Sequence, residues 1–355
     1  KIKEPYVHLQ KLQAEIKRLQ TQSISTMVMQ DMPNPRKTHL LFRGKYDKKR
    51  EEVTAGTPAF LPSMPNEAPM NRLGLARWLV SKKHPLTARV AVNREWQRLF
   101  GIGIVKTTEE FGAQGDWPSH PKLLDWLAVH FMNSGWDTKA LLKFIVTSAT
   151  YRQSSSATPE LLVRDQANLL LARGPRHRLD AEIVRDNALA VSGLLVEKIG
   201  GPSVFPYHPK GLWQELNNRP NYSRTYKQDK GEKLYRRSLY TYWKRTVPPP
   251  SMTTFDAPER EFRLVRRSRT NTPLQAFVML HDPQFVEAAR HLAERMMSAS
   301  DNPDGCIEHG FRLATSRLPN KKEKVVLHRL FRERLLFYRK DKKAANAVLS
   351  VGESI

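Results

Sequence analysis

The stretch from Thr254 to Glu287, TFDAPEREFRLVRRSRTNTPLQAFVMLHDPQFVE, joins a clear helix start to a run of arginines. Thr270, Asn271 and Thr272 are capping residues, and Pro273 suits the first position of a helix. A helix dipole favours negative charge at this end, so arginines placed just before it are locally unfavourable. We infer that something acidic lies near them, either carboxylates of the same fold or an external anion.

The composition is that of a folded and strongly basic protein. Of 355 residues, 40% are hydrophobic and 7 are tryptophan, which excludes wholesale disorder. The 59 lysines and arginines against 35 aspartates and glutamates give a formal net charge of +24. Such an excess attracts nucleic acid, anionic lipid, acidic polysaccharide or an acidic partner domain. The plainer alternative is a basic module whose charge is balanced by other parts of a larger protein.

Cysteine content and hydropathy limit the class of protein further. The single cysteine, Cys306, excludes an internal disulfide and a CxxCH haem attachment within this chain. No apolar run reaches the roughly 18 residues of a membrane span, so none is expected. Lys1 opens the sequence without an initiator methionine or a signal-peptide pattern, which predicts a processed or excerpted piece of a longer protein.

The residue pattern predicts a mostly α fold: a multi-helix body with a small N-terminal β hairpin and minor strand elements. Residues 1–70 are predicted to hold a helix at Val7–Gln22, β-rich runs at Ser23–Gln30 and Thr38–Tyr46, and a Pro-rich linker at Val53–Met70. Residues 71–355 are predicted to form the helical main domain, either continuous or interrupted at 196–250.

Caps, glycines and prolines set the predicted helices of the main domain. In chain order these are Leu73–Ser81, Leu86–Phe100, Lys122–Asn133, Thr138–Tyr151, Arg178–Leu195, Leu274–Leu280, Pro283–Ser298, Asp304–Thr315, Lys321–Tyr338 and Lys342–Leu349. Between them, Ser238–Lys244 is rich in tyrosine, threonine and tryptophan, which predicts a strand.

The arginine run supplies the candidate anion-binding residues. These are Arg263, Arg266, Arg267 and Arg269. A guanidinium group binds carboxylate, sulfate or phosphate through two parallel hydrogen bonds, which suits such a role. The equal alternative is a structural network of these arginines with Asp256, Glu259 and Glu261.

Candidates for catalysis and for stacking are fewer and carry structural alternatives. The catalytic candidates are His120, Asp116 and Asp256. His120 ends a glycine-rich loop that suits a pocket, but it equally suits the entry to a helix. The candidates for stacking on sugars or bases are Trp117, Tyr242 and Trp243, which also suit half-buried packing. The histidines show no metal-ligand spacing, so no metal site is predicted.

A second basic region lies near the end of the sequence. Arg317–Lys343 holds 11 lysines and arginines against 3 aspartates and glutamates. Its apolar residues recur near helical spacing, which predicts an amphipathic helix with a solvated basic face. Binding of an acidic surface by this face is the alternative.

Two long regions carry a family resemblance. The first, Arg72 to Ser155, opens with RLGLARWLVSKKHPLTARVAVNREWQRLFG, and the second, Leu234 to Arg290, closes with RTNTPLQAFVMLHDPQFVEAAR. Both resemble the large C-terminal domain of unknown function found in planctomycete proteins that also carry cytochrome-c-like regions. The segment His39–Pro62 resembles the entry to that domain.

The resemblance implies a periplasmic or other envelope-located multidomain protein, with haem c in an upstream domain and no cofactor in this chain. It implies no reaction. Together with the arginine and aromatic clusters it favours a binding or assembly module that engages an acidic polysaccharide, an upstream domain or a cytochrome partner. A polysaccharide hydrolase or lyase is the enzymatic alternative. A basic nucleic-acid-binding protein is disfavoured, because carboxylates interrupt the arginines and would repel phosphate.

Overall fold

A computed structural model describes residues 3–22, 26–216 and 224–354. Within these ranges it contains fourteen α-helices and one two-stranded antiparallel sheet near the N-terminus, which confirms the mostly α prediction. No helix in the described ranges is both long and apolar enough to cross a membrane. The chain divides into two compact units: unit 1, residues 1–96 with 117–147, and unit 2, residues 97–116 with 148–355. The sequence division at residue 70 stays a prediction.

The hairpin of unit 1 follows helix α1, Lys3–Gln22. Strand β1, Thr38–Leu41, pairs antiparallel with β2, Lys49–Val53, so that Thr38 lies opposite Val53. The predicted strand run at 23–30 is wrong where it is described, because residues 26–30 form no regular structure; residues 23–25 lie outside the described ranges. The pairing strand instead lies in KREEV, whose charges hid its β character.

The helices of unit 1 begin at local caps. Asn71 caps α2, Arg72–Leu79, by accepting from the backbone nitrogens of Leu73 and Gly74 at 3.0 and 3.2 Å. A histidine caps α3, Thr87–Phe100, because His84 Nδ1 accepts from the Thr87 backbone nitrogen at 3.2 Å. Helices α4 and α5 follow. Their bounds are Pro121–Asn133 and Thr138–Thr147.

Unit 2 contains the remaining helices and most of the irregular chain. Their bounds are α6 Pro159–Arg164, α7 Ala181–Ser192, α8 Leu212–Glu215, α9 Pro250–Thr254, α10 Pro273–His281, α11 Pro283–Ala299, α12 Pro303–Thr315, α13 Lys321–Lys340 and α14 Lys342–Leu349. Helix α11 packs against α7, α10 and α12. One apolar core cluster joins α7 to α9 and the residues after it, and another joins α7 to the segment near Leu234.

A buried arginine organises the polar interior of unit 2. The guanidinium of Arg185, on α7, donates to Gln284 Oε1 and to the carbonyls of Leu234 and Arg236 at 2.7 to 2.8 Å. Burial lowers the pKa of Arg185 to about 10, so it keeps its charge at neutral pH. The hydrogen bonds therefore compensate a charge that has left water.

Two sequence predictions in this unit are corrected. Helix α7 begins at Ala181 rather than Arg178, and Gly193, at φ 83°, ends it at Ser192. The predicted strand Ser238–Lys244 is wrong, since Ser238–Tyr240 is a 3-10 helix and Thr241 makes only an isolated bridge to Val204. Its aromatic residues serve side-chain packing instead of a sheet.

Candidate functional site

The arginine loop, Glu259–Arg269, joins α9 to α10 and is closed at its base by one carboxylate. Asp256 accepts from the backbone nitrogen of Thr270 at 2.8 Å and from its hydroxyl at 2.9 and 3.0 Å. Arg178 adds an ion pair at 2.5 Å. Burial acts to raise the pKa of Asp256, but these hydrogen bonds and the Arg178 charge outweigh it and lower the pKa. Asp256 is therefore a loop-closing acceptor.

A second anchor ties the loop to the first turn of α7. Arg267 donates to both carboxylate oxygens of Glu182, at 2.6 and 3.2 Å. Burial acts to raise the pKa of Glu182, but the Arg267 hydrogen bonds and charge, with a contribution from Arg260, outweigh it and lower the pKa. The predicted structural network thus exists for Arg267, with Glu182 as its partner rather than Asp256 or Glu259.

The other arginines of the loop remain at the surface. The Arg266 side chain is exposed and lies 3.6 Å from Glu109, which is also exposed. Arg269 donates to the Gly101 carbonyl at 3.2 Å through one of its nitrogens. For Arg263, no ion pair or hydrogen bond is present in the described ranges. These exposed guanidinium groups therefore keep N–H donors that are available to a ligand.

An aromatic ring supports one of these exposed arginines. The Arg260 guanidinium lies over the Trp243 ring, 4.5 Å from its centroid, and Trp243 Nε1 donates to the Glu259 carbonyl at 3.4 Å. Trp243 also packs against the core cluster around Phe255. It serves as a base for Arg260 rather than as an open stacking platform.

The other two stacking candidates occupy different surroundings. The side chain of Trp117 is 93% exposed and lies in unit 1. Tyr242, in unit 2, stacks on Phe205 with ring centroids 4.8 Å apart. This stack belongs to an aromatic cluster that the sequence analysis missed because its members are far apart in the chain. The cluster comprises Phe205, His208, Trp213, Tyr226 and Tyr242.

The three catalytic candidates lie in different local surroundings. Asp256 is committed to Arg178 and Thr270. Asp116, also in unit 2, is exposed, and its backbone nitrogen donates to Thr107 at 2.8 Å. His120, in unit 1, precedes α4 as its N-terminal boundary residue. In the described ranges no three His, Cys, Asp or Glu side chains are grouped so as to hold a metal ion.

A polar cluster on α11 was not foreseen from the sequence. The Glu287 side chain is 1% exposed, and its Oε1 accepts from Tyr235 at 2.9 Å and from the backbone nitrogens of Glu353 and Ser354 at 2.9 and 2.8 Å. Gly352, at φ 99°, lies so close that an added Cβ would stand 2.3 Å from the Glu287 carboxyl carbon. The segment after α14 is therefore held against α11.

Three side chains of this cluster have the order of a serine-histidine-acid triad. His291 Nε2 lies 2.6 Å from Ser354 Oγ, and His291 Nδ1 lies 3.2 Å from Glu294 Oε2. The Ser354 hydroxyl, however, lies 2.5 Å from Glu287 Oε1 and donates to that carboxylate. Its proton is directed away from His291, so the arrangement is a structural clamp rather than an activated nucleophile.

The fold and the loop define a mostly α-helical module with a basic, arginine-lined surface loop. The chain belongs to the family described as PSD1: Protein of unknown function (DUF1553), whose model matches residues 71–331. The matched region contains the whole arginine loop and both of its anchors. No curated protein and no solved structure matches the chain.

Proposed function

We propose that this family member is an envelope-located binding or assembly module that engages an acidic polysaccharide through its arginine loop. One observation carries the proposal. Arg178 and Arg267 are used to anchor the loop, whereas Arg260, Arg263, Arg266 and Arg269 are exposed around it. A loop held at its base and again near its C-terminal end presents these guanidinium groups with less freedom to lose on binding.

The chemistry of the loop suits a polymer of acidic sugars. Its five arginines outnumber its two glutamates, and guanidinium groups bind carboxylates and sulfates through paired hydrogen bonds. Phe262, 81% exposed, and Leu264, 58% exposed, add apolar side chains that can lie against the carbon faces of sugar rings. Each exposed contact is weak alone, so repeated contacts along one polymer supply the affinity.

The two alternatives receive less support from the same residues. A hydrolase or lyase that uses Asp256 would need a free carboxylate, and Asp256 is hydrogen-bonded at both oxygens. A nucleic-acid role receives no support from a recognisable DNA- or RNA-binding motif, because the basic residues are spread along the sequence from Lys1 to Lys343. The family resemblance supports an envelope location and a haem-bearing domain elsewhere in the same protein. Fractionation and haem staining of the full-length protein test that part of the proposal.

The binding proposal is tested with immobilised polymers at physiological ionic strength, where weak surface attraction is screened. Polygalacturonate and dextran sulfate are compared with neutral dextran, duplex DNA and RNA of equal mass concentration. We expect the acidic polysaccharides to bind more tightly than neutral dextran and than either nucleic acid. Absence of acidic-polysaccharide binding, or sub-micromolar and sequence-dependent binding to nucleic acid, would contradict the proposal.

A further inference from the structure

Three groups of unit 2 converge at Gly101, beside the arginine loop. Arg269 Nη1 donates to the Gly101 carbonyl at 3.2 Å. Gly101 has φ +87°, and a Cβ added there would lie 3.0 Å from His177 Nδ1 and 3.3 Å from Arg269 Nη1. The His177 ring and the Arg269 guanidinium are therefore close neighbours, packed over a residue that lacks a side chain.

The hydrogen bonding of His177 leaves one ring nitrogen unused. Within the part of the chain that the structure describes, His177 Nδ1 is buried and has no hydrogen-bond partner, while the ring bonds to the Arg98 backbone carbonyl. A carbonyl only accepts, so Nε2 carries the proton of the neutral ring and Nδ1 carries a lone pair. A second proton on Nδ1 would stand beside the positive charge of Arg269.

The surroundings of His177 oppose that second proton. Burial lowers the pKa of His177, and the charge of Arg269 lowers it further, whereas Asp180 and the Arg98 carbonyl act to raise it. These groups come from the residue before α7, from α3 and from the arginine loop. Of them, Arg269 is the exposed cation, so an anion that reaches the loop can pair with it.

We propose that His177 takes up a proton when an acidic polymer binds the loop through Arg269, so that affinity increases as the pH falls. The inference rests on the proposed function and adds its regulation. An anion paired with Arg269 neutralises the charge that opposes the imidazolium, and its oxygens add negative potential beside Nδ1. The proton and the polymer therefore favour each other's binding to the same degree.

The direction of the pH effect follows from linkage. Burial and the Arg269 charge hold the pKa of His177 below its ordinary value in the free protein, and neutralisation of Arg269 by the bound polymer would raise it in the complex. Affinity therefore increases as the pH falls through the pKa of the complex and levels off below the pKa of the free protein. Each unit of difference between these two values corresponds to about a tenfold change in affinity.

Dextran sulfate is the suitable probe, because its sulfates stay charged throughout the range from pH 7.5 to 5. Affinity and proton uptake are measured by calorimetry in two buffers of different ionisation enthalpy, for the unmodified chain, His177→Gln and His281→Gln. Glutamine preserves a donor toward the Arg98 carbonyl. His281, at the exposed end of α10, controls for the general gain of positive charge by the 11 histidines.

We expect proton uptake on binding for the unmodified chain and for His281→Gln, and a clearly smaller uptake and flatter pH dependence for His177→Gln. Equal proton uptake in all three proteins, with binding intact, would overturn the coupling and leave the proposed function standing. No binding by the unmodified chain at any pH would overturn both. Thermal unfolding of each variant at pH 7.5 confirms that the compared proteins are folded.

Discussion

Arg267 and Glu182, 85 residues apart in the sequence, form a bidentate ion pair with N–O distances of 2.6 and 3.2 Å. The pair fixes the C-terminal part of the arginine loop to the first turn of α7, where a carboxylate also suits the helix dipole. Arg267 therefore anchors the loop, whereas the other arginines of the loop are exposed to solvent. The acidic neighbour expected from the sequence is thus internal for Arg267, and an external anion is proposed only for the exposed arginines.

Arg267→Ala should destabilise unit 2 by about 1–2 kcal/mol, because a half-buried carboxylate loses two charge-assisted hydrogen bonds while partial exposure limits the cost. The free energy of unfolding from urea titrations measures the change. Arg263→Ala is the control in the same loop and should leave that energy within about 0.5 kcal/mol. An equal loss of unfolding free energy in the two variants would show that Arg267 does not anchor the loop.

Gly352→Ala should cost about 2 kcal/mol or more. Its φ of 99° disfavours a side chain by about 1–2 kcal/mol, and the new Cβ would meet the Glu287 carboxyl group. Gly56→Ala is the control, since its φ is not positive and no atom of the described residues lies within 4 Å of its Cβ position. Unfolding curves that shift equally for both variants would contradict the close fit of the segment after α14.

Glu287→Gln should make the free energy of unfolding less dependent on pH in the acidic range. Burial acts to raise the pKa of Glu287, but hydrogen bonds from Ser354, Tyr235 and Tyr207 outweigh it and lower the pKa below its ordinary 4.5. The stabilisation is therefore present above pH 4.5 and is lost as the pH falls through the folded-state pKa. Urea unfolding at pH 7, 5 and 3.5 should show a smaller decline for Glu287→Gln than for the unmodified chain.

Exposed Glu261→Gln is the control for that comparison and should follow the unmodified chain at all three pH values. If Glu287→Gln lost as much stability on acidification as the unmodified chain, the Glu287 carboxylate would not be the acceptor that the distances indicate.

Arg185→Lys should cost about 3 kcal/mol, although the charge is conserved. A lysine ammonium cannot reach Gln284 and the carbonyls of Leu234 and Arg236 with the fork geometry of a guanidinium, so buried acceptors lose their donors. Exposed Arg176→Lys, only nine positions earlier, should be nearly neutral. Hydrogen exchange and urea unfolding measure both variants, and a neutral Arg185→Lys would contradict the buried network.

Local signals in the sequence predicted most of the helices. Asn71 caps α2, Pro273 opens α10, and Lys342–Leu349 has the predicted bounds, because caps and prolines act within one turn. The strand prediction at Ser238–Lys244 failed because β propensity depends on a pairing partner, and among the described residues only Val204 forms a bridge to this segment.

The candidate site was predictable only in part, because contacts between distant segments of the chain decide the role of each residue. The arginine run is visible in the sequence, but its division into anchors and exposed groups depends on Glu182 and Arg178, which are distant in the chain. The role of Asp256 could not be predicted either, because the residue type alone does not distinguish a carboxylate that closes a loop from one that transfers protons. The contacts of His177 with Gly101 and Arg269 also join distant segments.

The binding role of the arginine loop is tested most directly by the double variant Arg263→Ala/Arg266→Ala on dextran sulfate at physiological salt. The matched control, Arg334→Ala/Arg339→Ala, removes the same charge from exposed positions of α13. We predict about a tenfold loss of affinity for the loop variant, from two exposed contacts of about 0.7 kcal/mol each, and a much smaller loss for the control. Equal losses would contradict the account, because binding would then follow net charge rather than the loop.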